Sequence, residues 1–188
     1  KRVKINCVGR NYAAHIAEWQ NEKTKDPVLL LKPDTSILQK NQPLFIPHFS
    51  SEIHYAIEVL VRIHRIGKHR QPEFVHKYYD EIGLGIDFTA RTLQEELKKK
   101  GLPWEKSKAF DGSALIGDWF SKTDFKDLNQ LNFSLERNGT LVQEGNTANM
   151  LWKVDELISS ISQYFTLKIG DVIFTGTPAG VGAVAEND

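Results

Sequence analysis

Seven short apolar runs, punctuated by proline and glycine and not regularly alternating with helices, limit what this chain can fold into. They are VKINCVG (3–9), PVLLLKP (27–33), PLFIP (43–47), IHYAIEVLVRIHRIG (53–67), EIGLGIDFT (81–89), LNFSLERNG (131–139) and GDVIFTGTP (170–178). Runs of this length, rich in Val, Ile, Leu and Phe, read as β-strands. ERNGTLVQEG places Asn138-Gly139 between two alternating segments, a strong hairpin signal. Helix patterns are fewer: 11–22 with Asn11 as cap, 92–101 stopped by Gly101, and 155–165 with Leu157, Ile158, Ile161 and Phe165 on one stripe. Strands and helices do not alternate as a doubly wound fold requires. The expected class is mainly β with a few short helices (α+β), a mixed, largely antiparallel β-sandwich or roll.

The 188 residues suit one domain with one sizeable core, and residues 1–188 are read as that domain. The final VGAVAEND leads us to expect that its last C-terminal elements are missing. Twenty-four basic residues balance 24 acidic ones, so no global field favours a nucleic acid or an anionic membrane. With no signal-peptide-like apolar run and a lone Cys7, the expected setting is soluble and cytoplasmic.

Five places carry candidate chemistry. His15 and Glu18 are three apart, so on a helix the carboxylate can orient the imidazole as a base; the same pair also suits an ordinary amphipathic surface. On an extended strand Ala56 and Glu58 face the same way as His54, and carboxylates at both 56 and 58, ~6.6 Å apart along the backbone, could share a hard cation. Only Glu58 is acidic. Asp87 closes an apolar run, where burial demands a partner or a cation, unless it caps the following helix. Lys106 and Lys108 precede a Gly-Ser turn; a lysine aimed inward can stabilise an oxyanion, whereas one aimed outward is only solvated. Finally, the Thr-Gly-Thr-Pro stretch at 175–178 lets backbone approach a carboxylate closely, or is simply a tight loop.

Taken together, VGRNYAAH, LLLKP, EIHYAIEV, GIDFTART, KGLPWEKSKAFDGSA, NGTLVQEGNTANM and GDVIFTGTPAGVG resemble, in order and over nearly the whole chain, the fumarylacetoacetate hydrolase family. The likeness is to its small single-domain members: acylpyruvate hydrolases, oxaloacetate decarboxylases and ring-cleavage isomerase/decarboxylases. That resemblance implies a mixed β-sandwich roll, a homodimer, and Mg²⁺ or Mn²⁺ held by three carboxylates. Glu58 and Asp87 match two of them; the first Glu of the Glu-x-Glu strand falls on Ala56. His15 and Glu18 match a lid dyad and Lys108 the active-site lysine, while Arg10, Tyr12, Lys32, Arg91 and Thr177 would line the substrate pocket. Thr92 stands where many relatives carry an acid.

The implied activity is metal-dependent hydrolysis, decarboxylation or isomerisation of a small 2-keto acid through a stabilised enolate. Ala56 removes one charge and one bond from the cation, so a weakened site is expected. The alternative is an impaired family member that binds a small carboxylate as a dimer. His54 and Glu52 lie too far along the strand to replace the missing ligand.

Overall fold

The computed structural model describes residues 3–18 and 24–188. In chain order the strands and helices are β1 (Ile5–Gly9), α1 (Ala13–Glu18), β2 (Val28–Lys32), β3 (Ile53–Tyr55), β4 (Ile57–Ile63), α2 (Pro72–Val75), β5 (Tyr79–Asp87), β6 (Thr89–Ala90), α3 (Arg91–Lys99), α4 (Glu105–Lys108), β7 (Ala114–Ser121), β8 (Asn132–Arg137), β9 (Thr140–Asn146), α5 (Val154–Tyr164), β10 (Val172–Phe174) and β11 (Gly182–Ala183). Six strands form one sheet in the order β2-β1-β10-β4-β5-β7. Only the β1–β10 pair in it is parallel. A three-stranded sheet, β11-β3-β6, and the β8–β9 hairpin complete the β structure. The expected mixed, sheet-dominated class is what the chain adopts.

β4 is largely apolar because both of its faces are covered. Val59, Val61 and Ile63 pack with Leu157, Ile158 and Ile161 of α5, whereas Leu60 joins Ile5, Cys7, Val172 and Phe174 on the other side. Burying each such Leu, Ile or Val contributes roughly 1.5–3 kcal/mol, so the central strands are firmly anchored. The hairpin turns at Asn138 (φ 50°) and Gly139 (φ 77°), the paired positive φ values that a two-residue primed turn requires.

Four sequence expectations need correction. PLFIP at 43–47 is not a strand: two prolines deny ladder donors, and Phe45 stays 80 % exposed. The run from 53 does not continue straight, because the chain changes sheets at Ala56, so His54 belongs with Thr89 and Ala183 rather than with Glu58. Asn11 is no helix cap; its side chain bonds Thr175 O and the backbone of Trp152. Of the helix at 11–22, residues 13–18 form α1, and 19–22 lie outside the described residues. β7, missed in the sequence, hides its strand pattern behind Gly117-Asp118.

Candidate active site

β3 runs into β4 through Ala56, and β5 into β6 through Phe88, so two chain segments switch sheets side by side. The Asp87 N–H donates to Ala56 O (2.9 Å), which locks the two crossings together. At this corner Ala56, Glu58 and Asp87 line one cavity.

Glu58 is 3 % exposed, and its Oε2 accepts the Gly176 N–H at 2.7 Å. Thr175 Oγ1 donates to Val59 O and Thr177 Oγ1 to Ile57 O, both at 2.8 Å, so the Thr-Gly-Thr loop is tied along β4. Gly176 has φ +103°, and a Cβ there would meet Asn11 Cβ at 2.7 Å, so glycine is required for this contact. Burial first, and then the charge of Asp87, push the Glu58 carboxyl up to about 8, against the pull of Lys108, the Gly176 N–H and Lys32.

Asp87 is equally buried but behaves oppositely. Burial alone would raise its pKa; Lys108 and Lys32 outweigh that effect and hold it below the usual carboxylate range. Lys108 Nζ pairs with Oδ2 and also donates to Thr89 Oγ1 (2.8 Å). Lys32 Nζ lies 2.7 Å from Oδ1 and is fixed from behind by Ser113 O (2.7 Å) and Ser113 Oγ (3.0 Å). Oδ1 nonetheless makes no hydrogen bond of regular geometry among the described residues.

His15 Nδ1 and Glu18 Oε2 are 3.2 Å apart on α1, and the Glu18 carboxylate accepts the Gly180 N–H at 3.1 Å. Burial lowers the His15 pKa; Glu18 opposes this, and Arg91 and Lys108 reinforce it. His15, Arg10, Arg91, Lys108 and Thr177 all line the cavity with Glu58 and Asp87. Tyr12 and Lys32 do not line it: Tyr12 is buried in the main core, and Lys32 sits behind Asp87. The Thr177 hydroxyl is already occupied by Ile57 O and by Gln143 Nε2 (3.0 Å). Sequence reasoning missed Gln94, Lys98 and Trp104, which also line the cavity. A signal existed, because Arg91, Gln94 and Lys98 recur on one helical stripe. Cys7 lines it as well, and burial raises its thiol pKa.

Do these residues fit a divalent cation? Among the described residues no three His, Cys, Asp or Glu side chains cluster closely enough to hold a metal, and Ala56 offers no donor atom where the resemblance expects one. Two hard carboxylates nevertheless share the cavity, one pushed toward protonation by burial and then by the other, and one with an oxygen outside regular hydrogen bonding. That donor set suits an Mg²⁺-like ion held by two carboxylates and completed by water or ligand oxygens.

A sheet-dominated fold that buries two carboxylates in one cavity, beside two lysines, is the architecture of an enzyme. The chain belongs to the fumarylacetoacetate hydrolase family of enzymes: the family model described as "Fumarylacetoacetate (FAA) hydrolase C-terminal" matches residues 4–188. Oxaloacetate tautomerase YcgM of Escherichia coli (strain K12) is 40 % identical over 186 residues, covering 98 % of this chain and 85 % of that protein. The mitochondrial oxaloacetate decarboxylase of Dictyostelium discoideum is 40 % identical over 182 residues, covering 96 % of this chain and 84 % of its own length. The crystal structure of fumarylpyruvate hydrolase from Pseudomonas aeruginosa in complex with Mn²⁺ and pyruvate superposes with TM-score 0.89 at 34 % identity, covering 98 % of this chain and 81 % of that one. No helix among the described residues is long and apolar enough to cross a membrane.

Proposed function

We propose that this protein interconverts the keto and enol forms of oxaloacetate, by proton transfer at C3 of a small 2-oxo acid, with a divalent cation in a site weakened by Ala56. The observation that carries this reading is the meeting of buried Glu58 and Asp87 in one cavity otherwise rich in cations. Glu58 and Asp87 would hold the cation, which when bound supplies Lewis-acid polarisation of the 2-oxo group.

The remaining work falls to side chains. Glu18 on Nδ1 sets the His15 tautomer, leaving Nε2 with the lone pair, and the lowered pKa keeps the ring neutral near neutral pH. Nε2 takes the C3 proton and returns it to the enol oxygen. Lys108 has three donors, of which Asp87 and Thr89 use two, so the third stabilises negative charge developing at the 2-oxo oxygen. Arg91 steadies a substrate carboxylate from α3. The same machinery aimed at a departing carboxylate or at water gives decarboxylation or acylpyruvate hydrolysis. A homodimer in the cytoplasm completes the proposal.

The test follows enol-to-keto conversion of oxaloacetate by absorbance with added Mn²⁺ or Mg²⁺, alongside CO₂ release and acylpyruvate cleavage. Conversion above the buffer rate is expected, with His15→Asn slowing it about 100-fold. CO₂ release or cleavage without faster interconversion would sink the tautomerase reading. Oxaloacetate binding without any turnover would instead favour the impaired carboxylate binder that Ala56 suggests.

A further inference from the structure

Helix α3 presents Arg91, Gln94 and Lys98 to the cavity. Arg91 Nη1 donates to Gln94 Oε1 at 2.8 Å, so the first two members of this stripe are mutually fixed. Lys98 stands seven residues beyond Arg91, about 10 Å along the axis, and helical side chains lean back toward the N-terminus. Its ammonium is thereby directed over the turn that carries Gln94.

A separate device holds that ammonium in place. Lys98 Nζ sits 4.9 Å from the Trp104 ring centroid. Trp104 is brought there by the helix end: Gly101 (φ 63°) follows the cap, the Leu102 N–H reaches Leu97 O (2.9 Å), and the Gly101 N–H reaches Lys98 O (3.1 Å). The same turn starts α4, whose Lys108 holds Asp87. A ring face positions a cation without neutralising it. Among the described residues Lys98 has no ion-pair partner, whereas both oxygens of Asp87 face lysines. Among the described residues the cavity lining carries Arg10, Arg91, Lys98 and Lys108 beside Glu58 and Asp87, a set of cations suited to an anion with two carboxylates. Burial, then Arg91, Arg10 and Lys108, push the Lys98 ammonium down to about 8, with Glu95 opposing; a bound carboxylate would relieve this.

We infer that Lys98, stacked on Trp104 at the far end of the α3 stripe, binds the distal carboxylate of a dicarboxylic 2-oxo acid and sets a preference over monocarboxylic ones. The inference rests on the reading above that the 2-oxo end sits beside Glu58 and Asp87. Oxaloacetate and 2-oxobutyrate share four carbons and the 2-oxo carboxylate, and differ at the distal end.

Their affinities for wild type, Lys98→Met and Lys98→Arg are measured by Trp fluorescence titration with and without Mn²⁺. Lys98→Met is expected to weaken oxaloacetate about tenfold or more, and to leave 2-oxobutyrate within about twofold; Lys98→Arg retains most of the selectivity. Equal loss for both acids, or no loss for oxaloacetate, overturns the role of Lys98 alone. Selectivity that depends on Lys98 in a protein that does not interconvert oxaloacetate overturns the proposed activity and keeps the Lys98 subsite. Wild type that binds neither acid overturns both.

Discussion

Lys32 Nζ and Asp87 Oδ1 stand 2.7 Å apart, with side-chain exposures of 0 % and 4 %. Breaking a buried pair from one side strands the other charge, and Asp87 would then keep only Lys108. Lys32→Met should therefore lower stability by about 3 kcal/mol, read as a shifted urea midpoint at constant slope. Because the lysines hold the Asp87 pKa below its ordinary 3.8, that stabilisation is present above the unfolded value and is lost as pH falls through the folded one. The gap between wild type and Lys32→Met should accordingly close in acid. An unchanged midpoint near neutral pH would show that Lys32 does not support Asp87.

Gly176 links the Glu58 carboxylate to the N-terminal turn. Its φ is +103°, and a methyl group added there would fall 2.7 Å from Asn11 Cβ, so Gly176→Ala must displace either the loop or Asn11. A loss of about 1–3 kcal/mol is expected, together with weaker cation binding as Glu58 loses its donor. Calorimetric cation titration on the folded variant separates the two effects; an unaltered affinity would mean that the Gly176 N–H does not position Glu58.

The sequence made the sheet-dominated class legible because the central strands are short, branched and bounded by Pro and Gly, and it made the hairpin legible through Asn138-Gly139. Local patterns could not show the sheet switch at Ala56, since a continuous apolar run looks the same whether it serves one sheet or two. That switch is why His54 contacts Arg91 (3.4 Å) rather than sharing the face of Glu58. Glu58, Asp87, His15 and Lys108 stood out by type and order. Lys98 and Trp104 did not, because a lysine late in a helix has an ordinary explanation in the helix dipole, and only the chain reversal after Gly101 brings the ring over it.

Glu58 makes cation binding a proton-release reaction. With its carboxyl pushed to about 8 by burial and by Asp87, it is largely protonated at neutral pH, whereas a ligand must be ionised. Mn²⁺ should release about one proton on binding, and its apparent affinity should rise with pH and level off above about 8. Calorimetry in two buffers of different ionisation enthalpy measures this directly. Heats independent of buffer would show that Glu58 is already ionised or does not bind the ion.

Ala56 decides how strong that binding can be. Its position lines the cavity with Glu58 and Asp87, and its carbonyl is committed to the Asp87 N–H (2.9 Å), so its methyl group adds no donor. Ala56→Glu places a third carboxylate one pleat from Glu58, adding both charge and a direct bond. Mn²⁺ affinity should tighten by about tenfold or more, and oxaloacetate interconversion at limiting Mn²⁺ should rise with it. Without metal the same change crowds a further charge beside two buried carboxylates, so the apo variant should melt below wild type while the Mn²⁺-loaded variant melts above it. That crossing is the informative result: a variant destabilised both with and without Mn²⁺ would mean that position 56 does not face the cation, and that two carboxylates are all this site provides.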